Sequence, residues 1–206
     1  MPKPWYPVAL SCRAVDMTSL PISRFEEIYA RDRDPWGFAT RWYEERKYAL
    51  TLAALPRPRY QRAFEPGCSI GVLTAALASR CDFLLATDGV EAAVDQARAR
   101  LAGLSHVKVA RLLLADDWPD GPWDLVVLSE LGYYFDPSDL GRIVECAADT
   151  TVAGATLLAV HWRGPTDYPL TGDQVHQQIG QHGAFEHQAG YREALFRLDV
   201  FQRVAP

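Results

Sequence analysis

The chain has 206 residues, 49% hydrophobic and 23% charged, enough for one domain with a substantial core. Its 21 Lys and Arg against 26 Asp and Glu give a net charge of −5 with no basic cluster, which argues against a phosphate-backbone partner and for small-molecule ligands. No run approaches the roughly 18 apolar residues of a membrane span, and Met1 to Leu10 has neither the cationic start nor the apolar centre of a secretory leader.

In chain order, Ser23 to Arg31 is predicted as a short amphipathic helix bearing Phe25, Ile28 and Tyr29. Asp34-Pro35 reads as a turn or cap before a longer helix through Leu55, whose apolar stripe is Tyr48, Leu52 and Leu55. Trp36, Trp42 and Tyr43 precede that stripe, an aromatic concentration suited to covering a flat ligand. Residues 1–60 are therefore expected as a helical lid on the same domain as the core, residues 61–206. After Arg62, buried-type strands (one ending near Phe64, then Phe83 to Thr87, Val107 to Leu112, Leu125 to Leu128, Thr156 to Val160) alternate with helical stripes from Val72, Val90 and Leu140. This alternation predicts an α/β, Rossmann-like doubly wound sheet. A helix over Gly172 to Gln181 is followed by strand-like runs at Phe185 to Tyr191 and Leu195 to Val204, joined by a link too short for a crossover helix. They predict a hairpin, so the mostly parallel sheet ends in an antiparallel strand.

The most informative stretch is Glu65-Pro66-Gly67-Cys68-Ser69-Ile70-Gly71, between a strand end and a helix start. Gly67 gives the turn its freedom and lets a ligand lie against the backbone, and Gly71 permits close helix-on-strand packing. The first helical turn offers amides to an anion. Asp88 ends the next strand 88 − 67 = 21 residues later, where a carboxylate commonly holds two ribose hydroxyls. Together these form the layout of a nucleotide-type cofactor site. Cys12, Cys68, Cys81 and Cys146 are widely spread with no paired metal-ligand spacing, which points to a reduced cytoplasmic protein without a metal.

On these residues the chain resembles class I S-adenosylmethionine-dependent methyltransferases, and within them the nodulation-type (NodS-like) N-methyltransferases. Residues 65–71 look like the family's first motif, Asp88 with Gly89 its second, Ala115-Asp116-Asp117-Trp118 its adenine loop, and Asp124 to Glu130 its fourth-strand motif. Tyr29, Asp34-Pro35-Trp36 and Trp42-Tyr43-Glu44 resemble the subgroup's entry helices. Ser69 stands where the common Gly-x-Gly-x-Gly form has its middle glycine. The resemblance implies that Glu65, Gly67, Cys68 and Gly71 line the methionine portion and Asp88 holds the ribose. Asp116 then receives the adenine amino group, Asp117 and Trp118 flank the ring, and Ser129 contacts the cofactor. Tyr29 and Trp36 cover the sulfonium, and Arg46 pairs with the methionine carboxylate or belongs to a solvated helix face.

The expected reaction is in-line transfer of the methyl group to the neutral nitrogen of a small amine or amino sugar, with His161 or Glu130 taking the proton. An imidazole suits that task because its ordinary pKa is about 6.5. Tyr133, Tyr134, Asp167 and Tyr168 are the expected acceptor contacts, and the partner is that small-molecule acceptor, with no nucleic acid or membrane. O-methylation of a hydroxyl shares every cofactor motif, and an NAD-dependent oxidoreductase shares the glycine turn and strand-end acid. No feature specifies an oligomeric state.

Overall fold

The computed structural model describes residues 18–114 and 117–205. Five strands build the core sheet: β1 (Tyr60–Pro66), β2 (Cys81–Asp88), β3 (Val107–Arg111), β4 (Trp123–Ser129) and β5 (Thr151–Trp162). Their connections carry α3 (Val72–Ala78), α4 (Glu91–Leu101) and α5 (Pro137–Thr150), with α6 (Gly172–Gln181) leading to the hairpin β6 (Phe185–Arg192) and β7 (Phe196–Arg203). The sheet order is β3-β2-β1-β4-β5-β7-β6. The first five strands are parallel, and β7 runs antiparallel to both β5 and β6. The short link was expected to give a hairpin, and its second strand lies inside the sheet, between β5 and the edge strand β6. That arrangement follows from composition: β7 is buried over most of its length, whereas β6 is exposed after Phe185.

Local sequence fixes the helix starts that matter to the site. Asp136 caps α5 by accepting from the amides of Ser138 (2.8 Å) and Asp139 (2.9 Å), with Pro137 at the first helical position. Thr171 and Gln174 form a capping box on α6. The all-apolar run of β4 is buried on both faces, between one core layer containing Phe64, Trp123 and Leu157 and another containing Leu77, Leu125 and Leu158.

The order reverses between β1 and β4, opening a crevice beyond their carboxyl ends. Two N-terminal helices, α1 (Ile22–Arg31) and α2 (Trp42–Ala54), contribute to its lining, through Ile22, Phe25 and Tyr29 of α1 and Tyr48 of α2. Tyr29, Ile70, Val90 and Ala93 form a separate apolar cluster, with Phe25, Trp36 and Phe38 packed against it, that joins the cover to the sheet edge. The Asp34 carboxylate accepts from the amides of Phe38 (2.8 Å) and Ala39 (3.0 Å), which sets the turn presenting Trp36. Among the described residues, no helix is long and apolar enough to cross a membrane.

Candidate active site

A cavity of about 310 Å³ occupies the crevice. Its floor is the turn after β1, where Gly67 (φ 70°), Ser69 (φ 52°) and Gly71 (φ 77°) all take the left-handed conformation. A Cβ on Gly67 would come within 2.9 Å of the Leu131 side chain, so the absent side chain is what lets Leu131 pack against this turn. Serine at position 69 adopts a conformation natural to glycine, at a cost of about 1–2 kcal/mol. Its hydroxyl hydrogen-bonds Tyr29 of α1, tying the cover to the floor.

Asp88 ends β2 on one side of the floor. Its carboxylate accepts from the amides of Ser69 and Val90, both at 2.9 Å, so it is fixed in place. Burial raises its pKa and these amides oppose the rise. Glu65, at the end of β1, is 2% exposed, and its Oε2 has no hydrogen-bond partner among the described residues. Burial pushes its carboxyl up to about 8, only partly opposed by the Thr74 hydroxyl. Above, the Tyr29 ring meets Trp36 edge-on with centroids 5.6 Å apart, and Trp36 stacks on Phe38. Burial, then the charge of Asp88, keeps the Tyr29 hydroxyl protonated. Leu112, Leu113 and Leu114, beyond β3, form an apolar end wall.

At the opposite end stand Ser129, the last residue of β4, and Glu130, just beyond it. Glu130 is left-handed (φ 55°), a strained conformation held by its surroundings. Its Oε1 lies 2.6 Å from Lys47 Nζ, and its Oε2 accepts from the Trp162 amide (2.9 Å) and the Tyr133 hydroxyl. Lys47 also lies 2.8 Å from Glu44 Oε2. A smaller gap beside this cluster shares Trp36, Phe38, Glu130 and Tyr134 with the main cavity.

The expected residues thus divide. Tyr29, Trp36, Glu65, Gly67, Cys68, Asp88, Gly89, Ser129, Glu130 and Tyr134 line the main cavity. Tyr133 and Tyr168 line the smaller gap with Tyr134 and Glu130, and Gly71 caps α3 behind the floor. Asp167 pairs with Arg24 (2.9 Å), fastening its loop to α1. Five expected residues need correction or lie elsewhere. His161 is fully buried and lines neither space: its Nε2 accepts from the Gly132 amide (3.0 Å), and its Nδ1 faces His176 Nε2 (3.1 Å). His176 Nδ1 in turn reaches Asp199 Oδ2 (2.8 Å). Burial, then His176 and Lys47, hold His161 neutral, and its acceptor lone pair is already taken, so this geometry does not offer it as a base. Arg46 makes a two-pronged pair with Glu193 (3.0 Å for each) and also bonds Tyr191, away from the cavity. Trp118 donates to Thr150 Oγ1 (2.9 Å) and packs edge-on to Phe64, while Asp117 is exposed; neither lines the cavity. Asp116 lies outside the described residues.

Sequence reasoning assigned no site role to Glu44 and Lys47 or to the leucine wall. The glutamate–lysine pair reads as a solvated helix face, and the signal against that was the aromatic residues around it, Tyr43 and Tyr48, over whose rings Lys47 lies at 5.1 and 5.9 Å.

Comparison with known proteins agrees with this fold. The family model described as nodulation protein S (NodS) matches residues 26–148. Nodulation protein S of Rhizobium tropici is 30% identical over 113 residues, covering 54% of this chain and 45% of that protein. The Bradyrhizobium diazoefficiens protein is 30% identical over 102 residues, 49% of each. The chain thus spans about half the length of these curated relatives. The crystal structure of a putative methyltransferase from Pseudomonas syringae is 45% identical with a TM-score of 0.71, covering 79% of this chain and 100% of that one. The N-methyltransferase NodS of Bradyrhizobium japonicum, solved with S-adenosyl-L-homocysteine, gives a TM-score of 0.79 at 21% identity over 88% of this chain and 97% of that one, a likeness of fold. With a family model covering more than half of its length and the class I methyltransferase fold, the chain belongs to the nodulation protein S (NodS) family.

Proposed function

We propose that this protein is an S-adenosylmethionine-dependent methyltransferase acting on the nitrogen of a small amine or amino sugar. The observation that carries the reading is the pairing of Asp88 with the Gly67 turn across one cavity: a carboxylate oriented by two amides, next to a backbone that no Cβ obstructs. The residues fit the cofactor. Asp88 would hold the ribose hydroxyls, the backbone at 67–68 the methionine portion, Leu112 to Leu114 one face of the adenine, and Tyr29 and Trp36 the sulfonium. Glu65, with a buried oxygen lacking a partner, suits a cationic or donor-rich group such as the methionine ammonium. Asp116 keeps its expected role at the adenine edge. Nitrogen is the favoured acceptor atom because the family's named structural relative is an N-methyltransferase.

When bound, the cofactor supplies a methyl group on sulfonium, whose carbon–sulfur bond breaks towards sulfur as an acceptor lone pair forms the new bond. The protein's share is to orient, enclose and manage a proton. Asp88 and the turn fix one reactant, the aromatic cover excludes water, and Tyr133, Tyr134 and Tyr168 line the acceptor side. Residues 18–60 act as the lid. The free thiols of Cys68, Cys81 and Cys146 support a reducing, cytoplasmic setting. Titration calorimetry tests the reading: S-adenosylhomocysteine is expected to bind saturably at one site and NAD not at all, and the reverse preference overturns it. Comparing amine and phenol acceptors in a methyl-transfer assay then separates N- from O-methylation.

A further inference from the structure

Helix α2 turns Glu44 and Lys47 inward, and each is 2% exposed. The lysine lies between two carboxylates, 2.8 Å from Glu44 and 2.6 Å from Glu130. With all three ionised, the cluster carries 1 − 2 = −1 in a buried place, where an uncompensated charge is costly and a second cation is welcome. The gap beside the cluster, about 20 Å³, has room for one small head group. Its remaining walls are aromatic, with Trp36, Tyr133, Tyr134 and Tyr168 among them, and ring faces attract cations. It opens beside the methyl-donor end of the main cavity through the residues the two spaces share.

The two carboxylates are not equivalent. Glu130 is committed to Lys47 through one oxygen and to the Trp162 amide and Tyr133 hydroxyl through the other. Glu44 has Lys47 and Tyr48 as partners, which leaves acceptor capacity on its two oxygens. Resting on the methyltransferase reading of the adjoining cavity, we propose that Glu44, backed by Lys47 and Glu130, binds the acceptor's ammonium group and takes its proton. In that step R–NH₃⁺ and the Glu44 carboxylate become R–NH₂ and the carboxylic acid. The nitrogen lone pair so freed forms the bond to the methyl carbon, and the product leaves as a secondary ammonium while Glu44 returns its proton to solvent. Burial raises the Glu44 carboxyl, Lys47 opposes the rise and Glu130 adds to it, which brings the base closer to the amine and makes the transfer less uphill.

The groups facing Glu44 are Lys47 and Tyr48 on its own helix, Glu130 beyond β4, Tyr133 and Tyr134 in the turn after it, and Tyr168 in the loop after β5. The lysine and the tyrosines are all shifted towards higher pKa and keep their protons between about pH 5 and pH 8, so a change across that range reports the raised carboxyl of Glu44. The test titrates methylammonium chloride into the full chain, alone and saturated with S-adenosylhomocysteine. Saturable binding is expected, strengthening as pH rises, and falling about tenfold or more in Glu44→Gln with S-adenosylhomocysteine affinity unchanged. No saturable methylammonium binding in the parent, a pH-independent affinity, or equal affinity in the variant overturns the proposal. The pH series needs no variant, so it stands if Glu44→Gln does not fold. Failure to bind S-adenosylhomocysteine alone instead refutes the cofactor reading.

Discussion

Replacing His161 by alanine tests how the acceptor side of the site is held. His161 accepts from the Gly132 amide and faces His176, which is anchored on Asp199, so the chain of bonds ends on the turn Gly132–Tyr134 just after Glu130. A consistent tautomer set runs through it: hydrogen on His161 Nδ1 and on His176 Nδ1, with Asp199 as final acceptor. Alanine leaves the Gly132 amide and His176 Nε2 without partners, each at about 1–3 kcal/mol, for a combined loss of about 2–6 kcal/mol. Urea denaturation of parent and variant measures this. The cost also depends on pH. Burial lowers the folded-state pKa of both imidazoles, so between that value and about 6.5 the unfolded chain binds more protons. Their contribution is complete above about pH 6.5 and declines as pH falls. The penalty for His161→Ala is therefore expected to be largest near pH 7.5 and smaller at pH 5.5. A loss below about 1 kcal/mol, or a penalty that grows in acid, would refute this account of His161.

Gly67→Ala forces a side chain into the left-handed region and against Leu131, costing about 1–2 kcal/mol from the backbone alone and weakening S-adenosylhomocysteine binding; melting curves and calorimetry read the two effects. Glu65→Gln removes a carboxyl raised to about 8, for which the folded state binds the extra proton above the ordinary carboxylate pKa, so the parent loses stability as pH rises towards 8. The glutamine variant is expected to lack that decline, and thermal melts at pH 6 and pH 8.5 check it. Arg46→Ala is expected to leave S-adenosylhomocysteine affinity within about twofold, because its guanidinium is engaged by Glu193; a larger loss restores the methionine carboxylate as its partner.

The sheet and cofactor floor were legible because both rest on local chemistry. Apolar runs such as Leu125 to Leu128 have little alternative to a doubly covered strand, and Gly67 and Asp88 owe their places to a turn and a strand end close in sequence. Even the departure at Ser69 is intelligible, since its left-handed conformation marks a glycine-type position and its hydroxyl reaches Tyr29. Long-range partnerships were not legible. His161 does lie next to the end of the fifth strand, as its position implied, but α6 and β7 bring His176 and Asp199 to it from 15 and 38 residues away, counting 176 − 161 and 199 − 161. Arg46 finds Glu193 through the hairpin, and Trp118 finds Thr150 at the end of α5. Glu44 and Lys47 are spaced like an ordinary surface pair, and only the packing of α2 over the sheet edge makes them interior.

The central claim is that Asp88 and the Gly67 turn grip the adenosyl cofactor together. A crystal structure of the protein with S-adenosylhomocysteine tests it most directly. Both ribose hydroxyls are expected within about 2.5–3.2 Å of the Asp88 carboxylate, with the sulfur facing the gap beside Glu130. A ligand whose ribose makes no contact with Asp88, or whose sulfur points away from that gap, would contradict it.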